Sequence, residues 1–512
     1  MDILTQFGSK VKGCLSTFDR MIIKGHSLQL SNLKQFRYFL NHNGILMKDF
    51  GAYAYNTSKS LSAHIESLAA ELGRPCKYLS SSLISKEDIA LDILKRQPLP
   101  DGNGLIAALS SVELCQTISV KWEDGILIPC YQKRKCKYYY LYAVDKDFGF
   151  MYIKIQTWFP FMFQIYINGR EYLSRLLDKE KIAYTRYDNC FTHIADIDKA
   201  QELADKINSV DLSNRFDAMA ERINNFLPVI KETFGCGYYW CISECEFATD
   251  IMFDSRESLE GVYPSLVEKA FFSFKCNDIM AFMGRKMHYA FSGEVVSDLR
   301  KRTQGFRIKH RMKKNQVKMY DKASVLRIET TINDPKEFKV YKQVHSKEFG
   351  LIKRWVPMGK SIANLYRYAE ISKAVNCRYI RALDDILHTE SPTKLIHALS
   401  AKVFVINRTY SGFNLLAKST SDLFELIANG KFIINGLTNK DIVPLFLSDT
   451  APCSLSKIKA KVTRLLAKLR AHGILKKTAK TLKYYITSTG RKIISAFLCF
   501  KNRDLPVLMS KA

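Results

Sequence analysis

"SLSKIKAKVTRLLAKLRAHGILKKTAKTLKYYITSTGRK", residues 454–492, is the most strongly patterned stretch of this chain. From Lys457 to Lys492 it holds twelve Lys and Arg side chains and no Asp or Glu. Ser454 and Ser456 offer N-caps. Ile458, Val462, Leu465, Leu466 and Leu469 then recur at helical spacing up to His472-Gly473, where glycine stops a helix. A short apolar run follows at Ile474-Leu475, then a basic turn from Lys476 through Lys480, then a strand at Tyr484-Tyr485-Ile486. Thr487-Ser488-Thr489-Gly490-Arg491 closes the segment. A solvated helix face ordinarily mixes both signs of charge, and this one does not, which favours contact with a polyanion.

A basic amphipathic helix followed by a basic ribbon is how a winged helix meets DNA, with the helix in the major groove and the ribbon along the phosphates. The string "LRAHGILKK…KYYITSTGRK" resembles the recognition helix and wing of bacterial winged-helix proteins of the MarR-like kind. Upstream, residues 421–428 read as a first helix, Thr438 as the N-cap of a short second one at 440–447, and Pro452 as a turn into the basic helix. The expected DNA contacts are Lys457, Lys461, Arg464, Lys468 and Arg470 on the helix, with Lys476, Lys477, Lys480, Lys483 and Arg491 around the ribbon. The same region could serve a dimer.

The chain has 512 residues, enough for several cores, and 47% hydrophobic content argues for folded domains. Its net charge of +28 makes a polyanion the expected partner. No polybasic segment abuts an apolar helix, and the apolar stretch 152–167 is interrupted by Lys154, Gln156, Pro160 and Gln164, so no membrane partner is expected. Thirteen cysteines without a signal-like N-terminus point to reduced thiols and a cytoplasmic, bacterial setting. Cys236, Cys241 and Cys245 lack the paired spacing of a zinc site.

Residues 1–230 read as an α/β domain that ends near Pro228. Strands are expected at 18–23, 130–142 and 148–167, and helices at 56–72, 200–207 and 214–226. "KRKCKYYYLY", residues 133–142, sets lysines beside tyrosines on a strand. Such a surface could stack bases, or be an ordinary half-buried strand with a lysine edge. His193 with Asp196 and Asp198 reads as a strand end followed by an acidic N-cap.

The segment 235–342 carries an acidic strand, "YYWCISECEFATDIMF" (238–253), with Glu244 and Glu246 on one face and Asp250 just beyond. A helix is expected at 265–282. A run from Arg300 to Lys322 follows, with ten Lys or Arg opposed only by Asp321. It parses as strands 307–312, 317–322 and 325–332 joined by turns at 313–315 and 323–324. Alternation places Lys318, Tyr320 and Lys322 on one face, and Arg327 and Glu329 on one face of the next strand, a set suited to a divalent metal and a phosphodiester.

"VKMYDK…LRIET" resembles strands near the end of the catalytic domain of rolling-circle replication initiators, and "ECEFATDIMF" is similar to their acidic strand. The resemblance implies a sheet that binds Mg²⁺ or Mn²⁺ and a tyrosine that nicks one DNA strand. It makes Glu329 a candidate metal ligand and Asp250 a second, and Lys318, Lys322 and Arg327 phosphate contacts. Glu246, on the same acidic strand as Asp250, is a further candidate ligand. Read from the residues themselves, Lys309, Arg311, Lys313 and Lys314 of the same basic run join the phosphate contacts. Tyr320, Glu329 and His310, the last as an alternative ligand or general base, are the catalytic candidates. The family's His-x-His motif is absent.

The expected architecture is α+β and multidomain, with mixed or antiparallel sheet domains, a helical connector and a C-terminal winged helix. Its segments are 1–230, 231–345 (the initiator-like domain with basic strands), 346–420 (the connector) and 421–512. The expected function is a DNA-binding protein of a plasmid, phage or transposon that nicks DNA as an initiator or transposase. Two alternatives stand beside it: a non-catalytic winged-helix regulator, and a single-stranded-RNA binder using the tyrosine-rich strands.

Overall fold

The computed structural model describes residues 10–499, except 82, 273, 290, 304, 347–349, 385–398, 406–407, 416, 429–431, 433–435, 447–454 and 479–480. Helices and strands are both abundant, in an α+β arrangement with several sheets. None of the described helices is long and apolar enough to cross a membrane. The chain forms two compact units. The larger comprises Gly13–Ile251 and Glu329–Lys373, and the smaller Met1–Lys12, Met252–Ile328 and Ala374–Ala512. Each is assembled from separate stretches, where the sequence reading drew four consecutive blocks. Pro228 marks no boundary, because it occupies the first turn of a helix, Leu227–Phe234, where its missing N–H costs nothing.

The larger unit contains strands β1 (Val11–His26), β2 (Cys76–Leu79), β3 (Gly104–Glu123), β4 (Ile126–Asp145), β5 (Gly149–Gln156), β6 (Phe163–Asn168), β7 (Tyr184–Tyr187), β8 (Cys190–Ile194) and most of β9 (Tyr239–Phe253). Its main sheet runs β9-β1-β6-β5-β4-β3-β2. It is mixed, since β2 joins β3 in parallel while β3 to β6 pair antiparallel. β3 and β4 turn through Asp124-Gly125, both at positive φ, as a tight hairpin requires.

Helices α1 (Leu33–His42), α2 (Phe50–Glu71), α3 (Lys86–Arg96), α4 (Gly169–Lys179), α5 (Ile197–Asp205), α6 (Leu212–Ile223) and α7 (Leu227–Phe234) belong to the same unit. Phe36, Phe39 and Phe50 meet Phe159, and Phe39 also meets Phe226, edge-on or tilted at 5.3–6.2 Å, which binds these helices into one aromatic core. Asp196 caps α5 by accepting from the Lys199 N–H, as the sequence suggested. Cys115 and Cys136, on adjacent strands, are joined by a disulfide, so the thiols are not all reduced as expected.

In the smaller unit α8 (Tyr263–Phe272) and α9 (Cys276–Phe282) replace the single helix expected at 265–282. The Asp278 carboxylate accepts from the Lys275 N–H, and this cap starts a second helix instead of continuing the first. Strands β10 (Val295–Arg302), β11 (Gly305–Met312), β12 (Asn315–Lys322) and β13 (Val325–Ile332) lie in that order, with the last four residues of β13 belonging to the larger unit. Lys313 and Ala323 take positive φ in the turns.

Among its described residues the connector holds strands as well as helix. β14 (Lys339–Ser346) and β15 (Gly350–Pro357) form a two-stranded ribbon, and α10 (Leu365–Asp384) supplies helix where the helical connector was expected. Leu351-Ile352-Lys353-Arg354-Trp355-Val356 pairs residue for residue with the strand before it, and Gly350, at φ +64°, permits the return.

Towards the C-terminus lie β16 (Val403–Val405), β17 (Arg408–Tyr410), α11 (Lys418–Ile427), α12 (Asn439–Ile442), α13 (Leu455–Ala471), β18 (Leu475–Lys477), β19 (Tyr484–Ile486) and α14 (Ser488–Cys499). The helices and the β18–β19 ribbon share a core that includes Phe424, Ile427, Leu437, Ile442, Val462, Leu466, Leu469, Ile474 and Phe497.

Candidate nucleic-acid interface

The periodic stripe of α13 does what its spacing demands. Ile458, Val462, Leu466 and Leu469 are buried, and Lys457, Lys459, Lys461, Arg464 and Arg470 stand exposed. Lys457, Lys461, Arg464 and Lys468 follow one another at helical spacing along one side. Gly473, at φ +70°, ends the helix, and the Ile474 N–H returns to the Leu469 carbonyl at 2.9 Å. At the other end Asn439 of α12 donates to Thr463 Oγ1 at 2.9 Å, which ties the short helix to the basic one. Thr438 caps α12 reciprocally with Asp441. Ser454 lies outside the described residues, and Ser456 falls inside the helix rather than at its cap.

β18 and β19 pair antiparallel, with Leu475 opposite Ile486 and Lys477 opposite Tyr484. Leu437 bridges Tyr484 on the other side, with both backbone bonds made at 2.7 and 2.8 Å. The order is therefore helix, bridging residue, short helix, long basic helix and two-stranded ribbon, with a further helix, α14, where the sequence reading had simply closed the segment. Lys476, Lys477 and Lys483 are exposed on the ribbon. Lys480 lies outside the described residues, and Arg491 sits half-buried in α14 rather than on the ribbon.

Two of the basic side chains are partly committed. Lys468 Nζ donates to the Gly412 carbonyl at 2.9 Å and stands 4.2 Å over the Phe413 ring, and desolvation pushes its pKa down. Lys461 lies over Phe446 at 4.7 Å. Beside them is a cleft of about 420 Å³ between β17 and α13, lined by Arg408, Thr409, Tyr410, Ser411, Arg464, Ala467 and Lys468. Its lining holds three cations and three hydroxyls but no carboxylate. Arg408 and Lys459 were missed from sequence. Lys459 lies on another side of the helix from the chosen stripe, and the β16–β17 hairpin is too short to announce itself.

The central strands tell a different story. Registers place Arg300, Arg307 and Tyr320 in one row across β10–β12, and Asp298, Lys309 and Lys318 in the next. The basic run, opposed along the chain only by Asp321, is further opposed by carboxylates that precede it, on and just before β10. Asp298 pairs with Arg300 at 2.8 Å and Lys309 at 3.8 Å, Glu294 with Arg311, and Asp321 with Arg302 at 3.1 Å. Lys313 stands over Phe291, Lys314 is exposed, and Lys318 and Lys322 are half-buried. Arg327 is 1% exposed, which withholds it from a polyanion, and its guanidinium lies 5.9 Å from the Tyr320 ring. The Arg302 guanidinium lies 5.0 Å from the same ring.

His310 is three residues along β11 from Arg307, the partner of Tyr320, so the two candidates face opposite sides of the sheet. It is fully buried, with Nδ1 2.8 Å from Ser297 Oγ and Nε2 3.1 Å from Tyr379 Oη. Burial pushes its pKa down to about 3, so it is a neutral core group. Between that value and its ordinary 6.5 the unfolded chain binds a proton that the folded chain refuses. Its contribution to stability is therefore complete above pH 6.5 and falls as pH drops through this window, by about 1.4 kcal/mol per pH unit. His310→Phe is expected to flatten that slope. Urea titrations of both proteins at about pH 6.5 and 5 check it, and equal losses would mean that His310 is solvated.

Two of the three carboxylates offered to a metal, Asp250 and Glu246, are engaged by arginines. Asp250 accepts from Arg170 Nη1 at 2.6 Å, and Arg170 Nε lies 3.5 Å from Asp19. Glu246 and Glu244 both pair with Arg20, at 3.0 and 3.1 Å. Glu329 is buried on β13. Among the described residues no group of three or more His, Cys, Asp or Glu is placed to hold a metal ion. The tyrosine-rich part of β4 is also internally satisfied, since Tyr139 donates to Glu66, Tyr140 to Glu113 and Tyr138 to Gln156.

No family model, curated protein or solved structure matches the chain.

Proposed function

We propose that this protein binds duplex DNA through a C-terminal winged helix, with α13 as the reading helix and β18–β19 as the wing. The observation that carries the reading is the division of α13: one face is packed into the core, and the exposed surface bears five cations and no carboxylate. The order of elements supports it, because Leu437, bridging Tyr484, supplies the third strand position that a winged helix places before its second helix. Lys476, Lys477 and Lys483 then lie where a wing follows the phosphates. The cleft lined by Arg408, Arg464 and Lys468 offers a notch for a backbone phosphate beside the helix.

Fluorescence anisotropy of the full chain with a labelled duplex of about 20 base pairs tests the reading, read at about 50 and 200 mM salt. Affinity should fall steeply with salt, by about a hundredfold or more if four or more phosphates are neutralised. A chain that does not retard duplex DNA at low salt would sink the proposal.

A further inference from the structure

We propose that the β14–β15 ribbon is a stacking platform for single-stranded nucleic acid, a contact separate from the duplex site and independent of that reading. The ribbon is a two-stranded sheet of its own, with Tyr341 opposite Trp355 and Lys342 opposite Arg354. Alternation gives it two unlike sides. Val340 is buried and Val344, Ile352 and Val356 are half-buried, so that side faces protein. The other side is solvent-facing and carries the aromatic pair, with Tyr341 53% and Trp355 64% exposed and their ring centroids 5.6 Å apart. Lys339 and Lys353 flank the rings on this side, two residues along each strand.

Folding ordinarily hides a tryptophan, so one left open beside a tyrosine marks a contact surface. The charge identifies what it meets. β14 and β15 contain Lys339, Lys342, Lys353 and Arg354 and no Asp or Glu. The outer part of the β3–β4 hairpin also exposes a tryptophan, Trp122, but there Lys121 pairs with Glu123 and Asp124 follows, a mixture that suits no polyanion. Flat rings between cations fit bases alternating with phosphates, and base faces are open to stacking only when the strand is unpaired. The all-cationic edges also discourage pairing with another strand of protein.

The test uses the full chain and a labelled oligothymidine of about 12 nucleotides, a length within the usual span of such sites. Binding should quench tryptophan emission, and Trp355→Phe should remove the quench while keeping most of the affinity. Tyr341→Ala with Trp355→Ala should weaken oligothymidine binding between about tenfold and a few hundredfold, with duplex binding unchanged. Lys339→Ala with Lys353→Ala alters only solvent-facing charge and should lower both the affinity and its salt dependence. It keeps the test decisive if the aromatic variant folds poorly. Oligothymidine affinity unchanged in both variants would overturn the proposal. So would a native oligomer, seen by sedimentation, that the aromatic variant dissolves, because the ribbon would then be a protein interface. Loss of duplex binding in the α13 variants leaves this outcome untouched, so the two readings fail separately.

Discussion

Replacing Lys457, Lys461 and Arg464 together with alanine is expected to weaken duplex binding by about a hundredfold or more near 100 mM salt, and to lower the slope of log affinity against log salt by about 2.7. The arithmetic is that of counterion release, at about 0.9 of slope for each phosphate contact removed. The three side chains lie along one exposed side of α13, and none of them reaches into the core stripe at Ile458, Val462, Leu466 and Leu469. The fold should therefore survive, as circular dichroism and the thermal midpoint would show. Lys468→Ala is the informative contrast. Its ammonium is held by the Gly412 carbonyl and the Phe413 ring, so its loss should loosen the β17 segment more than it changes the salt slope. An unchanged slope in the triple variant would move the duplex contact elsewhere on the chain.

The C-terminal elements were legible because their determinants are local. A stripe at helical spacing, a glycine stop and a ribbon of alternating residues fall within about forty positions, and α13, β18 and β19 match them closely. The hairpins β11–β12 and β12–β13 were legible for the same reason, with Lys313 and Ala323 turning where the strand pattern broke. The pairing of charges was not legible. Glu246 meets Arg20 from 226 positions away and Asp250 meets Arg170 from 80, distances over which a sequence pattern says nothing. The basic run at 300–322 looked opposed only by Asp321 because Asp298, on β10, and Glu294, just before it, precede the run in sequence. His310, in a run of cations, stood among the catalytic candidates, yet alternation along β11 sends it inward with Ile308 and Met312.

Arg170→Met is expected to destabilise the larger unit by about 3–5 kcal/mol, the usual cost of breaking a buried ion pair from one side. Arg170 and Asp250 are both fully buried, and Asp19, on the guanidinium's other side, is 3% exposed. Removing the cation leaves two buried carboxylates without their arginine, and a buried charge that loses its counter-charge costs more than a lost hydrogen bond. The penalty should shrink when the charge is also removed, so Arg170→Met with Asp250→Asn should recover part of it, about 1–3 kcal/mol by a double-mutant cycle. Acid should help the single variant too, because protonation relieves a buried carboxylate that has lost its partner. The gap between variant and native protein in urea midpoint should then narrow as pH falls from about 7 towards 4. A wide gap at every pH would mean that packing around the arginine, not its charge, holds β9 in place. The same comparison bears on the acidic strand's role. An arginine 2.6 Å from Asp250 supplies the positive charge that a divalent ion would otherwise bring, which makes this carboxylate part of the scaffold.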